Sequence, residues 1–524
     1  MSPERPHPGP IVPEPLHPDR LRPTLPPDAL PFDDLSGVEP SDAIVGQPRA
    51  IAAIRQAVQM ERPGYNLFIV GLDSGGRLQT VRRILARMKP RRRCSRDFVY
   101  VHRHSDPSRP QLLSMPSGAG PRLQKAMLDL REALLAEVPR ILDSELVRTK
   151  RDRIVRDLER QQREILLALQ ERVRAEGFEL GGDEDDEDGL PVVVLVTGDG
   201  PVGRAEAHLL AHQGEVDRDI DELESLFDEF EDELARTVSN ARRAAGLARK
   251  QVVAVEQAAI RDQTAPLFDD VARRFKAARR WLSDLHDAVV DHHDAFRGDP
   301  PGEQGPTSEV VALLQAFSVN VLHRGSRARR APVIVVPDPS FGNLFGGIVT
   351  EGPLSGPADH THLRPGALHD ADGGFLVVNA ADLLTEPGTW KTLKRAMTFG
   401  ELGLHNLESA LHGQPPQLRP HPVPLDVKVI LLGDEEVYAA LSSMDPDFAS
   451  IFKIRAEFED AAPLTAALAA DVSAVLARLQ AREGLRPLQR AAMAELLIHG
   501  VRESGLPGRL TLHIGSLADV MREA

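Results

Sequence analysis

Apolar residues change their spacing several times along this chain, and each change predicts a different element. Residues 1–30, MSPERPHPGPIVPEPLHPDRLRPTLPPDAL, are so dense in proline that they lack backbone donors for helix or sheet, which predicts an extended arm. Ile44, Ile51, Ile54 and Val58 then share one helical face, predicting a helix from near Asp42 with Ser41 as its cap. Gly64 closes that segment. Leu67 to Val70 reads as a short buried strand running into a glycine-rich loop, followed by a helix over Thr80 to Met88 and a strand over Phe98 to Val101.

From Leu123 the period lengthens. Leu123, Met127, Leu130 and Leu134, then Ile154, Leu158, Ile165, Leu169 and Val173, and later Leu223, Phe227, Phe230, Leu234 and Val238 step by three and four. This predicts long amphipathic helices with coiled-coil spacing, either an antiparallel arm or a compact bundle, with a strand-like LPVVVLVTG between them. Linker chemistry returns at Asp299 to Pro306. The runs Ala331 to Val336, Gly374 to Val378 and Val427 to Leu432 are apolar without alternation, as in parallel strands covered on both faces. The expected architecture is α/β: a parallel-sheet domain interrupted by a long helical insertion and followed by a small all-helical lid. Its expected segments are an arm at 1–30, sheet-domain parts at 31–120 and 301–460, the insertion at 121–300 and the lid at 461–524.

Composition narrows the partners. The chain has 524 residues, a net charge of −15 and one cysteine. That charge argues against nucleic acid as the main partner, and the basic runs Arg82 to Arg93 and Arg324 to Arg330 read better as solvated helix ends and loops. A lone Cys94 excludes an internal disulfide and a cysteine zinc site. With no apolar run near ~18 residues and no apolar signal core, no membrane partner is expected and the cytoplasm is the default location. Asp183 to Asp188 and Asp291-His292-His293-Asp294 are expected to be solvated; no metal ligand is assigned.

The sharpest chemical signal is Gly71 to Leu78, GLDSGGRL. A phosphate-binding loop of the form G-x-x-x-x-G-K-[ST] uses two glycines for close backbone approach, a lysine for the phosphates and a hydroxyl for Mg²⁺. Gly71 and Gly76 are correctly spaced. Arg77 stands for the lysine, keeping its charge in a different shape, and Leu78 for the hydroxyl, where no metal can bind.

Longer stretches carry a family resemblance. ERPGYNLFIVG, NLFGGI, DHTHLRPGALHDADGGFLVVNAADLL, WKTLKRAM and PLDVKVILLGDEEVY followed by DPDFASIFKIRAEF resemble the ATPase part of the Lon-type proteases, in the branch with a long helical insertion in its AAA+ module. The resemblance spans roughly residues 15 to 524. It implies a ring-forming homo-oligomer that hydrolyses ATP and feeds unfolded polypeptide to a serine protease domain with a Ser and Lys dyad. The serine motif of that domain is not in this sequence, so no protease catalytic residue is assigned. By resemblance, Asn379 and Ala380 occupy the Walker B acidic positions, Asp434 the first sensor region and His513 the second sensor. With Gly71, Gly76 and Arg77, these make up the cofactor-binding set. ATP with Mg²⁺ is the one cofactor the pattern can take, and five departures weaken it together. Asp359, His360, His362, His369 and Asp370 form a metal-like cluster, but RPGALH matches a structural motif of the family and favours a hydrogen-bonded loop. Phe341 and Phe345 read either as a pore loop gripping polypeptide or as core anchors. Lys453 and Arg455 read as a neighbour's finger cation or as surface charges.

Three functions follow: a Lon-type substrate-handling module in protein degradation with degraded hydrolysis, a competent ATPase and unfoldase, or an interaction scaffold whose arm binds a partner such as a Lon-type protease subunit.

Overall fold

The computed structural model describes residues 24–71, 77–91, 93–182, 191–216, 218–296, 308–326, 328–349, 358–404 and 418–524. Residues 1–23 of the proline-rich arm, Gly76 and the acidic run Asp183 to Asp188 lie outside them, as does the Arg77 side chain. The chain divides into two compact units. One comprises Met1–Tyr100, Ser108–Gly120 and Asn320–Ala524; the other comprises Val101–Pro107 and Pro121–Val319.

The first unit is built on a five-stranded sheet. In chain order its strands are β1 (Leu67–Val70), β2 (Val333–Val336), β3 (Phe375–Asn379), β4 (Lys428–Gly433) and β5 (Ile454–Glu457), arranged 5-1-4-3-2 with every neighbouring pair parallel. Successive side chains on a strand point to opposite faces. Phe68, Val70, Leu376, Val378, Val429 and Leu431 enter one apolar core with Leu344, Leu393 and Phe448. Leu67, Ile69, Phe375, Val377, Ile430 and Leu432 enter another with Ile54, Val81 and Leu85. Two-sided burial is the reason these strands are apolar throughout rather than alternating.

The helix expected near Asp42 begins later, as Pro48–Gln59. Gly46 at φ +70° turns the chain first, and Pro48 fits the opening position of a helix, where no donor is needed. Ser41 instead accepts from the amide of Ala43 in a turn. A helix over Arg77–Met88 follows β1. Two strands the periodicity did not show, Gln111–Pro116 and Val319–His323, flank Arg96–Val101 in a small sheet.

The lid segment contains helices Ala466–Glu483, Arg490–Glu503 and Ile514–Glu523. It is not wholly helical: Ala461–Pro463 pairs antiparallel with Arg509–Thr511, a pair too short to leave a period in the sequence. Leu30, Leu35 and Val45 belong to the core of this lid, and Arg490 reaches back to the carbonyl of Phe32 and the carboxylates of Asp28 and Asp33. The chain's early residues thus complete its last helices.

In the second unit Glu145–Ala175 packs on Ile220–Arg274, a 55-residue helix of roughly 80 Å at 1.5 Å per residue. Leu169, Val173, Phe227 and Phe230 close on Phe178 and Leu195 from a three-stranded antiparallel sheet formed by Phe178–Gly182, Pro191–Thr197 and Gly200–Val202. The stretch at Asp291 to Asp294, expected to be solvated, is so only in part. Asp291, His292 and Asp294 are exposed, but His293 is buried, with Nε2 3.2 Å from the buried carboxylate of Glu256. A 3-10 turn at His293–Phe296 after the helix rotates that residue inward.

One polar side chain ties the main sheet together. Asn66, buried just before β1, donates to the Ile451 carbonyl at 2.9 Å and accepts from the Val429 amide at 2.9 Å. Asn66→Ala would leave the buried Val429 amide without this acceptor, while the Ile451 carbonyl keeps the backbone amide of residue 66 at 3.3 Å. We predict a loss of roughly 1–3 kcal/mol, checked by denaturant unfolding.

Candidate functional site

In an open parallel sheet, ligands bind beyond the carboxyl ends of the strands. Register places Val70 opposite Gly433 and Asn379 opposite Leu432, so Gly71, Asp434 and Asn379 emerge along one edge of three adjacent strands. The structure brings these three predicted residues together.

Gly71 has φ +84°, and an added Cβ would lie 2.2 Å from the carbonyl oxygen of Phe458. The chain after β5 therefore crosses β1 where only glycine fits, with the Phe458 amide donating to the Val70 carbonyl at 2.9 Å. Arg77 opens the 12-residue helix that follows. Backbone N–H groups and the dipole at such a helix start favour an anion.

One side-chain oxygen of each polar residue at this edge is engaged. Asn379 Oδ1 accepts from the Ala381 amide at 3.1 Å and caps helix Ala380–Thr385. Asp434 Oδ1 accepts from the Val437 amide at 2.9 Å and caps helix Glu435–Met444. Ala380 is fully buried and Asp382 is exposed. Each strand thus passes directly into a helix, and the linking polar residue satisfies an otherwise orphan amide.

The candidate cations are also held by their own chain. Arg455 on β5 pairs with Glu435 and Glu457 and lies over the Tyr438 ring at 4.5 Å. Lys453 lies over the Tyr65 ring at 4.9 Å. His513 precedes the last helix with Nε2 3.4 Å from Asp460, three residues beyond β5. Sequence reasoning missed Gln47. Buried, it donates to the Glu459 carbonyl at 2.7 Å and accepts from the Glu459 amide at 2.9 Å, pinning the segment that leaves the sheet. A polar residue between Gly46 and Pro48 was the signal available for it.

Phe341 and Phe345 are elsewhere. They sit on helix Phe341–Phe345 with 4% and 2% of their surface exposed, ring centroids 4.9 Å apart, inside the first core. Here they anchor the loop; a grip on polypeptide would require the helix to leave its place.

The histidine-rich segment is a hydrogen-bonded loop. Asp359 Oδ1 accepts from the Thr361 amide and lies 2.8 Å from His362 Nδ1, and His369 Nδ1 accepts from the Gly366 amide at 3.0 Å. Among the described residues no three histidine, cysteine or acidic side chains are placed to hold a metal ion. Cys94 lies 3.2 Å from Asp372, and burial with that neighbouring carboxylate pushes its thiol up to about 12, so it stays protonated.

Comparison with known proteins agrees with this architecture. Residues 329–459 match the family model of the LonB-like AAA domain, residues 97–130 the Lon-like LonC helical domain, and residues 487–524 the archaeal LonB AAA+ ATPase LID domain. In these three segments the chain is Lon-related. A protein of Escherichia coli described as a Lon protease homolog is 34% identical over 103 residues, which are 19% of this chain and 16% of that protein. The match therefore spans about a sixth of the relative's length. NtrX from Brucella abortus is 18% identical over 49% of this chain and 58% of its own, with a TM-score of 0.24. Its complex with ATP is 16% identical over 55% and 56%, also at 0.24. Likeness at that level carries no argument about this chain.

Two predictions follow from these placements. Phe345→Ala empties a filled core position and costs roughly 3–5 kcal/mol by calorimetric or denaturant unfolding. Burial, with His323 nearby, depresses the His369 pKa from 6.5 to about 4. Between those values the unfolded chain binds more protons, so the contribution of neutral His369 is complete above pH 6.5. It fades as pH falls towards 4, by roughly 3 kcal/mol. A His369→Asn variant is expected to show a shallower decline over that window.

Proposed function

We propose that this chain is a Lon-family AAA+-like module that handles polypeptide substrates for degradation and hydrolyses ATP slowly or not at all. The observation that carries the reading is the engagement of Asn379 and Asp434 as helix caps beside a buried Ala380. Phosphoryl transfer needs a cation on the phosphates, oxygen ligands for Mg²⁺ and a group that orients the attacking water. At this edge an alanine stands where a water-orienting carboxylate would be needed, Leu78 offers no metal ligand, and the Asp434 carboxylate disfavours a γ-phosphate beside it. Gly71 and the start of helix Arg77–Met88 retain backbone donors for an anion, which supports weak nucleotide binding with little dependence on Mg²⁺. Assembly into a ring, unfolded polypeptide as partner, a Lon-type protease subunit acting with it, and a cytoplasmic setting belong to the same reading. They rest on the family relation.

The test is equilibrium binding of a fluorescent ATP analogue with and without Mg²⁺, alongside phosphate release, for the protein and for Arg77→Ala. Weak Mg²⁺-independent binding and equal, near-background phosphate release in both proteins are expected. Rapid turnover that disappears in Arg77→Ala would overturn the proposal.

A further inference from the structure

One hollow in the first unit lies away from the carboxyl edge of the sheet. It is a cavity of about 700 Å³ beside Gly373 and Phe375, at the amino end of β3, closed by the helices Pro48–Gln59 and Arg77–Met88. β3 has five residues, so roughly 15 Å of strand separates this cavity from Asn379.

Its wall has two chemistries. Ile51, Val58, Ile84 and Phe375 supply an aliphatic and aromatic floor, and Arg55, Arg87, Arg91 and Arg93 stand around it against one acid, Glu61. Two of these arginines are structural. Arg87 pairs with Asp42, and Arg93 is fixed by Asp426 at 3.0 Å and by the carbonyls of Gly374 and Asp426. Arg55 and Arg91 are exposed and make no ion pair among the described residues, although Arg91 lies on a backbone held by the Pro90 to Ala331 hydrogen bond. The carbonyls of Ala57 and Met60, which would repel an anion, already accept from the buried ammonium of Lys428.

We infer that this cavity binds an apolar carboxylate, with the hydrocarbon body on the Ile51, Val58, Ile84 and Phe375 floor and the anionic head between Arg55 and Arg91. The volume lies within the ~300–1,000 Å³ usual for small-ligand sites, and the wall divides about evenly between apolar and polar surface, as a ligand with a hydrocarbon body and a charged head requires. The four floor side chains offer nothing to hydrogen-bond a sugar or base; Gln59 and Glu61 are the other polar groups beside the arginines. Guanidinium groups match a carboxylate in two-pronged geometry. Two sources carry this chemistry: a free medium-chain acid, and the carboxyl end of a polypeptide that finishes in apolar residues. The inference does not depend on the proposed nucleotide reading.

Calorimetric titration of the whole chain distinguishes the outcomes. The probes are decanoate, decanol, and a short peptide ending in leucines as free acid and as carboxyl amide. Expected is binding of at least one carboxylate, weakened about tenfold or more both in its uncharged counterpart and in Arg55→Glu/Arg91→Glu. Arg82→Glu, on the same helix as Arg87 and outside the cavity, is expected to leave affinity unchanged. Binding by the peptide acid identifies a polypeptide terminus as the source, and binding by decanoate alone identifies a free acid. Both arginines are exposed, so the double variant is expected to melt as the parent does; Ile51→Trp, which fills the floor, is a second route to loss of binding. Failure of both carboxylates to bind at millimolar concentration would overturn the inference. So would equal affinity for the uncharged probes, indifference to charge reversal, or displacement by ATP with equal affinity at this cavity.

Discussion

A parallel sheet covered on both faces can meet solvent and ligands only at its two ends, and this constraint arranges the first unit. β1, β3 and β4 lie in the interior, with Leu67 and Ile69 turned to one core and Phe68 and Val70 to the other. Between their end residues the side chains of these strands are apolar and buried. Polar residues therefore gather at the ends: Asn379 and Asp434 beside Gly71 at the carboxyl edge, and Lys428, Arg93 and Asp426 at the amino edge. The cores hold the strands in place, and the strands fix both edges at once.

How a capping residue is used explains much of the difference between a nucleotide-shaped edge and a working one. A side-chain oxygen that accepts a helix amide lowers the cost of ending the strand at that position, typically by about 1 kcal/mol. Asn379 and Asp434 both do this, and negative charge at 434 also suits the dipole of the helix it opens. Such residues are favourable for folding whatever happens at the phosphates. Nothing in the fold requires a carboxylate at Ala380, whose methyl is fully buried, so the body persists with or without hydrolysis.

The sequence was most legible where burial is two-sided and least so where structure is short or set by a single contact. Leu67 to Val70 was readable to the residue because four apolar side chains in a row between Asn66 and Gly71 admit little else. The start of the helix at Pro48 depended on the left-handed turn at Gly46, which a face-by-face count of isoleucines does not register. The Ala461–Pro463 and Arg509–Thr511 pair, three residues a side, has no period to read. Phe341 and Phe345 posed a different problem. Aromatics in a glycine-flanked loop look alike whether they grip or anchor, and the choice depends on Gly346. An added Cβ there would lie 2.2 Å from the Arg364 carbonyl, so the loop is pressed onto the RPG segment with its rings inward. At the candidate site Gly71 came from the glycine spacing and Asn379 and Asp434 from the family resemblance, and each lies at the end of a readable strand. Gln47 has no such landmark; its partner Glu459 is 412 residues away in the chain.

The buried titratable groups show a further use of the same constraint. Lys428 opens β4 beneath both helices that close the arginine-lined cavity, and burial, with Arg93 nearby, lowers its pKa to about 8. An ammonium there is tolerated because it takes the carbonyls at the end of helix Pro48–Gln59, where positive charge meets the negative end of the helix dipole. The same contact occupies two carbonyls next to the cavity's lining residues Val58, Gln59 and Glu61, leaving Glu61 as the acid its arginines face. A residue needed to end a helix thus also sets the sign of the potential at the amino edge, as the caps at Asn379 and Asp434 do at the other. In this chain the electrostatics of each end of the sheet follow first from how its helices begin and end, and any ligand must fit charges already committed to the fold.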